Sequence, residues 1–268
     1  MVLRAKSAGT DHAVHSGQPA DRQSPVRSRA VRILGIRVDD VTLAEAASAA
    51  GEFLRDGAPH QVATVNPEFV MEARRNPAFA QVLREADLCV PDGVGLIWAS
   101  RLLRQPLRAR APGVELVWAL AGLCAEHGRT LFLLGGRDGV AREAAQRLQA
   151  RFPALRVAGT FEGSPEDPRA PAQVRAAAPA VLLVAYGHPR QDLWIHRHQV
   201  ELRIPVAVGV GGAFDFIAGR TRRAPARLQR LGLEWLHRLA REPWRWRRML
   251  ALPRFTLLVL RQRLTRRG

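Results

Sequence analysis

A carboxylate set between proline and glycine, Asp92 in Pro91-Asp92-Gly93-Val94-Gly95, directly follows the apolar run Leu88–Val90. On a loop at a strand end, such a group can take a proton from a hydroxyl if it faces a cleft. The same triplet also makes a plain turn. Thr64-Val65-Asn66 closes the run Gln61–Val65 and offers a hydroxyl and an amide in the same kind of place. Gly135-Gly136-Arg137-Asp138-Gly139 follows Thr130–Leu134 and precedes a helical period, so its backbone N–H groups could hold a diphosphate at a helix start. It is not the G-x-G-x-x-G fingerprint, and no acidic residue closes a following strand about 20 residues later, which counts against a nicotinamide oxidoreductase. Tyr186-Gly187-His188-Pro189-Arg190-Gln191 ends the most apolar run and brings an imidazole, a guanidinium and an amide to a helix start. His188 is there a base, a phosphate contact or simply a turn residue. Gly209-Val210-Gly211-Gly212, with Asp215, repeats the strand, glycine and helix device.

Metal chemistry has little to stand on. His196 and His198 are two apart, which points them to different sides of a helix, and Asp39-Asp40 has no third carboxylate nearby. No Asp-x-Asp stands at a strand end. Neither a metal nor an organic cofactor is expected, so charge on a departing diphosphate would have to be met by arginines. Arg110, Arg220, Arg222 and Arg223 are the suppliers at hand.

Alternating elements must hold these loops. Strand-like runs are read at 31–38, 61–65, 88–90, 130–134, 155–158, 180–186 and 205–210, with helical periods at 43–54, 67–85, 94–103, 114–127, 140–151 and 191–201. Several runs are almost continuously apolar, as strands covered on both faces are. The pattern predicts an α/β, Rossmann-like fold: a largely parallel sheet with helices on both faces and ligand loops at the strand ends.

Composition narrows the class. The 268 residues are 47% apolar and 24% charged, which excludes collagen-like, disulfide-scaffold and wholly disordered chains. The net charge of +17 is uneven: residues 33–218 balance 20 basic against 20 acidic, while residues 219–268 carry 15 arginines against Glu234 and Glu242. Three regions follow: a disordered arm at 1–29, an α/β catalytic core at 30–218, and an Arg-rich appendage at 219–268. In that appendage Leu228, Leu231, Trp235 and Leu239 recur at helical spacing between arginines, the amphipathic pattern of a helix lying on a membrane surface. A nucleic-acid binder using the same arginines is the rival reading. It is disfavoured because the arginines alternate with a Trp/Leu face and no nucleic-acid module precedes them. Cys89 and Cys124 read as small core residues of a reducing compartment. The run Met249–Leu260 is broken by Pro253 and Arg254 and falls short of a bilayer span. The expectation is a cytoplasmic protein attached peripherally to the inner face of the plasma membrane.

Seven segments occurring in order are together more specific than any loop alone: TVNPEFV, ADLCVPDGVGLIWASRLL, PGVELV, LFLLGG, AYGHPRQDLWI, GVGGAFDFIAG and RAPARLQRLGLEWLHRLAREPWR. Through them the chain resembles the WecG/TagA/CpsF glycosyltransferase family from about Val31 to Leu260. The resemblance implies an inverting, metal-independent transferase that moves a sugar from a UDP donor to an undecaprenyl-diphosphate-linked saccharide. N-acetylmannosamine, its uronic acid and glucose are the donor sugars in question. Carried over residue by residue, it makes Asp92 the base and sets Thr64, Asn66 and Gln191 near the reacting sugars. Arg110 and the tail arginines Arg220, Arg223 and Arg227 would hold diphosphate, alongside Gly135, Gly136, Gly187 and His188. It also implies an anionic membrane partner, no nucleic acid, and self-association. Asp192 stands where glutamate is usual and Glu115 where aspartate is usual, departures expected to act on substrate preference.

Overall fold

The computed structural model describes residues 29–222, 224–225, 227–228, 234–241, 243 and 246–265. Residues 1–28 of the arm read at 1–29, and Arg223, lie outside the described residues. Strands β1 (Ala30–Ile33) and β2 (Ile36–Asp39) form an antiparallel hairpin across Leu34-Gly35. Sequence reading made 31–38 one strand, because the apolar pattern runs on through the bend. The chain turns there because both residues adopt positive φ, 50° at Leu34 and 88° at Gly35.

Six further strands make one sheet: β3 (His60–Val65), β4 (Leu88–Pro91), β5 (Thr130–Gly135), β6 (Arg156–Phe161), β7 (Val181–Ala185) and β8 (Val206–Gly209). Their order is β4-β3-β8-β7-β5-β6 and every pairing is parallel. Side-chain alternation divides each strand between two cores. Val62, Val208, Leu183 and Leu131 pack on one face against α1 (Leu43–Asp56), α5 (Gly113–Glu126), α6 (Val140–Arg151) and α9 (Ala213–Ile217). Their neighbours Ala63 and Cys89 pack on the other face with α2 (Pro67–Ala73), α3 (Pro77–Glu85) and α4 (Val94–Leu102). On that same face Ala207, Leu182 and Phe132 meet α7 (Arg169–Ala177) and α8 (Arg190–Leu202). The Rossmann-like α/β architecture is therefore as the strand and helix alternation requires.

Two helices replace the single period read at 67–85. Asn66 caps α2, its Oδ1 accepting the Phe69 N–H at 3.0 Å, and Asn76 caps α3 in the same way on Phe79 at 3.1 Å. Proline at the first helical position suits both starts, since that N–H has no helical partner.

The C-terminal region forms α10 (Glu234–Arg241), α11 (Trp246–Met249) and α12 (Ala251–Thr265). Pro253 does not break α12; it sits in the first turn. This helix packs back across the boundary drawn at residue 219. Phe255 and Val259, 4% and 1% exposed, belong to the same core as Phe69 and Leu96. Gln262 adds a polar stitch, its Oε1 accepting the Leu34 N–H at 3.0 Å and its Nε2 donating to the Arg32 carbonyl at 3.3 Å. Among the described residues no helix is long and apolar enough to cross a membrane.

Candidate active site

A cavity of about 870 Å³ opens where the C-terminal ends of β3, β4 and β8 converge, the place an open parallel sheet offers to ligands. Its floor carries Thr64, Asn66, Asp92, Arg110, Gly187, His188 and Gln191. Seven of the twelve residues picked out in the sequence thus meet in one place. The opposite wall is made by the C-terminal helices, through Trp235, Leu239, Met249, Leu252 and Pro253.

Each floor residue is held by its local structure. Asp92 follows β4, and its N–H donates to the Val65 carbonyl at 2.7 Å, which fixes the loop beside the end of β3. A Cβ on Gly113 would stand 3.6 Å from Asp92 Oδ2 and 3.5 Å from Thr64 Cγ2, so carboxylate and threonine flank the first residue of α5. That helix has no side-chain cap, and Pro112, Gly113 and Val114 line the cavity, so its positive end opens toward whatever binds there. Thr64 Oγ1 donates to the Gly209 carbonyl at 2.8 Å, leaving its lone pairs as acceptors. Asn66 spends its oxygen on the α2 cap and keeps its amide hydrogens.

Arg110 rides on a loop tied down on both sides. Ala111 N–H donates to the Pro91 carbonyl at 2.8 Å, and Arg108 N–H donates to Asp40 Oδ1 at 2.7 Å. The Arg108 guanidinium also grips Glu45 with bonds of 2.9 and 2.7 Å, and this pairing holds the Glu45 carboxyl below its ordinary range. His188 packs its ring on Phe69 at 5.0 Å, with Nε2 3.7 Å from Glu68 Oε2. Glu68 and Trp98 line the cavity too, and sequence reading missed both. Glu68 sits in the first turn of the helix that Asn66 opens, which was a usable signal. Trp98, 57% exposed, is indistinguishable in sequence from an ordinary helix residue.

Gln191 is almost fully enclosed, 1% exposed, and its Oε1 accepts the Gly211 N–H at 2.9 Å. Gly209 makes room for it: a Cβ there would lie 2.6 Å from Gln191 Nε2 and 2.7 Å from Asp192 Oδ1. Gly209→Ala is therefore expected to cost roughly 1–3 kcal/mol, read as a lowered thermal midpoint, because neither buried side chain has space to withdraw.

Other expected residues lie elsewhere. Gly135 and Gly136 are kept glycine by crowding, since added Cβ atoms would stand 2.9 Å from Tyr186 Cδ1 and 2.5 Å from Val140 Cγ1. Neither lines the large cavity. Gly136 borders a separate one of about 430 Å³ with Arg137, Glu162, Tyr186 and Arg190. At the start of α6 Glu162 Oε2 already accepts the Gly139 N–H at 3.0 Å, so this turn serves packing and an internal anion. Arg220 is paired with Glu143 at 2.7 Å, outside the cavity lining. Arg227 is exposed and away from the lining. Asp192, 0% exposed, cannot touch substrate, so its departure from glutamate does not act by contact. Among the described residues no three His, Cys, Asp or Glu side chains gather as ligands for a metal, and His196 instead lies 3.5 Å from Glu85.

The cavity at the C-terminal edge of a Rossmann-like sheet thus gathers carboxylates, an arginine and an uncapped helix start. The chain belongs to the WecG/TagA/CpsF family of glycosyl transferases, whose family model matches residues 31–268, and it is a hexosyltransferase. It is 37% identical over 201 residues to an N-acetylglucosaminyldiphosphoundecaprenol N-acetyl-beta-D-mannosaminyltransferase of Bacillus spizizenii, covering 75% of this chain and 78% of that one. Proteins of the same name from Bacillus subtilis and Staphylococcus aureus MW2 are 34% identical (75% and 79% covered) and 30% identical (84% and 90% covered).

Proposed function

We propose that this protein transfers N-acetylmannosamine from UDP-N-acetylmannosamine to an N-acetylglucosaminyl diphosphate carried on undecaprenol, with inversion and without a metal ion. The observation that carries this reading is a cavity with two unlike sides. One side joins Asp92, Arg110 and the open end of α5; the other is the apolar wall of Trp235, Leu239, Met249 and Leu252. A sugar diphosphate on a lipid has the matching two ends. The relatives' shared name supports the choice of sugars. So does the presence of Glu68 in the same lining as Asp92, since a second carboxylate in the cavity disfavours a uronic acid donor.

In the proposed step an acceptor hydroxyl attacks the anomeric carbon as the bond from that carbon to the UDP oxygen breaks. Asp92 takes the hydroxyl proton, and UDP leaves with the bond's electron pair. Arg110 and the α5 N–H groups meet the charge gathering on the diphosphate, a contribution worth about 10²–10³ in rate for one well-placed donor. Thr64 and Asn66 orient the sugars, while Gln191, enclosed and bound to Gly211, shapes the floor beneath them.

The enzyme would meet its acceptor at the cytoplasmic face of an anionic membrane. Trp235, Leu236, Trp246, Leu250, Leu257, Leu260 and Leu264 are all exposed in the arginine-rich C-terminal region. Each basic residue near an anionic surface gains roughly 1 kcal/mol. Flotation with vesicles containing anionic lipid should therefore be strong at low salt and lost at about 0.5 M salt. Equal binding to neutral vesicles would contradict the electrostatic part. Donors offered singly with a lipid-linked N-acetylglucosamine diphosphate test the reaction: a product heavier by one N-acetylhexosamine, formed in EDTA, is expected. Product from UDP-glucose alone would overturn the choice of sugar.

A further inference from the structure

Helix α4 starts two residues after Asp92 and carries one apolar stripe of the cavity away from that carboxylate. Val94, Trp98 and Leu102 stand four residues apart, so they share a helix face, and all three line the cavity. The start of α4 is clamped to the floor. A Cβ on Gly95 would stand 2.6 Å from Pro67 Cγ, and one on Gly93 3.8 Å from Asn66 Cβ. Across from it α12, which packs on α4, adds a second stripe through Leu252, Thr256 and Val259. Trp98 is 57% exposed, although Leu96, Ile97 and Ala99 beside it are buried. A large aromatic face is thus left open to solvent within reach of the catalytic floor.

We infer that Trp98 is a specificity-determining residue of the acceptor site, the platform for the isoprene units next to the acceptor's diphosphate; this deepens the transfer reading above and rests on it. The direction of α4 orders the acceptor. Its sugar hydroxyl lies at Asp92, its diphosphate follows past the first turn, and its chain begins at Trp98. From Val94 to Leu102 the helix rises roughly 12 Å, so the stripe holds only the first few isoprene units.

The chemistry of the stripe favours a hydrocarbon chain over the donor's base. A base needs polar partners at its edge to be recognised. On these two stripes the Thr256 hydroxyl already donates to the Leu252 carbonyl at 3.0 Å, which leaves the Trp98 indole N–H as the other polar side-chain group. A prenyl chain asks for apolar area alone, and covering an exposed indole face removes such area from water.

The test measures KM and kcat for wild type, Trp98→Ala and Trp98→Phe in one detergent. The acceptors are N-acetylglucosaminyl diphosphates esterified with methyl, farnesyl or undecaprenyl groups. Wild type should prefer farnesyl to methyl by about tenfold or more in KM, with farnesyl and undecaprenyl within a few-fold of each other. Trp98→Ala should lose about tenfold of that preference, as truncation of an aromatic anchor does, and Trp98→Phe should keep most of it. The exposure of Trp98 means that both variants should fold, which their thermal midpoints check. A prenyl preference unchanged in Trp98→Ala, or methyl and prenyl acceptors weakened alike, would overturn the role of Trp98. A wild-type preference that keeps climbing from farnesyl to undecaprenyl would also overturn it, since partition into the detergent and not the groove would then be read. Wild type that transfers sugar to none of the acceptors would instead bring down the transfer reading, and this role with it.

Discussion

Asp92→Asn should lower kcat by about 10²–10⁴ while leaving the KM for the sugar nucleotide within a few-fold, as loss of a general base does. The amide keeps the shape of the carboxylate and the loop bond from its N–H to Val65, so folding should be unaffected. The geometry makes the position sensitive. Asp92 and Thr64 bracket the first residue of α5, so a hydroxyl placed against the carboxylate lies beside the helix end that would receive the leaving diphosphate. Steady-state UDP release with lipid-linked acceptor separates the outcomes. Unchanged kcat would remove Asp92 from the chemistry and leave His188 and Glu68, in the same lining, as the candidate bases.

The second large effect concerns α12. Phe255→Ala should destabilise the protein by about 3–5 kcal/mol, the cost of emptying a well-packed aromatic site. The side chain is 4% exposed in a core shared with Phe69, Phe79 and Leu96. A change of that size is a large fraction of the stability of an ordinary domain. Ending the chain at Leu250 should accordingly yield aggregated or poorly folded protein. Leu252→Ser, on the cavity wall, should instead preserve folding and raise the KM for the lipid acceptor more than that for the donor. Chemical denaturation with paired kinetics measures both. A Phe255→Ala variant as stable as wild type would mean that α12 is a mere attachment.

The parts of this account that were legible in sequence share a physical origin. Continuous apolar runs announced buried parallel strands, and loops placed just after them had to fall at one edge of the sheet. By that logic Thr64, Asn66, Asp92, His188 and Gln191 belong at one edge, and in the structure they line one cavity. Gly135 and Gly136 lie outside that cavity, and in sequence a glycine needed for close packing and one needed for a ligand look alike. Crowding from Tyr186 and Val140 decides between them, and crowding is a property of the folded chain. The break at Arg74–Asn76 was readable, since Asn76-Pro77 repeats the Asn66-Pro67 start ten residues earlier. Apolar periodicity running through it masked the signal. The docking of α12 was not readable: Phe255 and Val259 are two apolar residues among many in a basic amphipathic tail. Only the shape of the groove between α2 and α4 selects them.

The structure of the protein with UDP bound decides which cavity is the active site. The diphosphate is expected against Arg110 and the start of α5 in the larger cavity, with Asp92 facing the side from which the acceptor arrives. UDP seated instead in the smaller cavity by Gly136 and Arg190, with Asp92 remote from it, would contradict the assignment of the site.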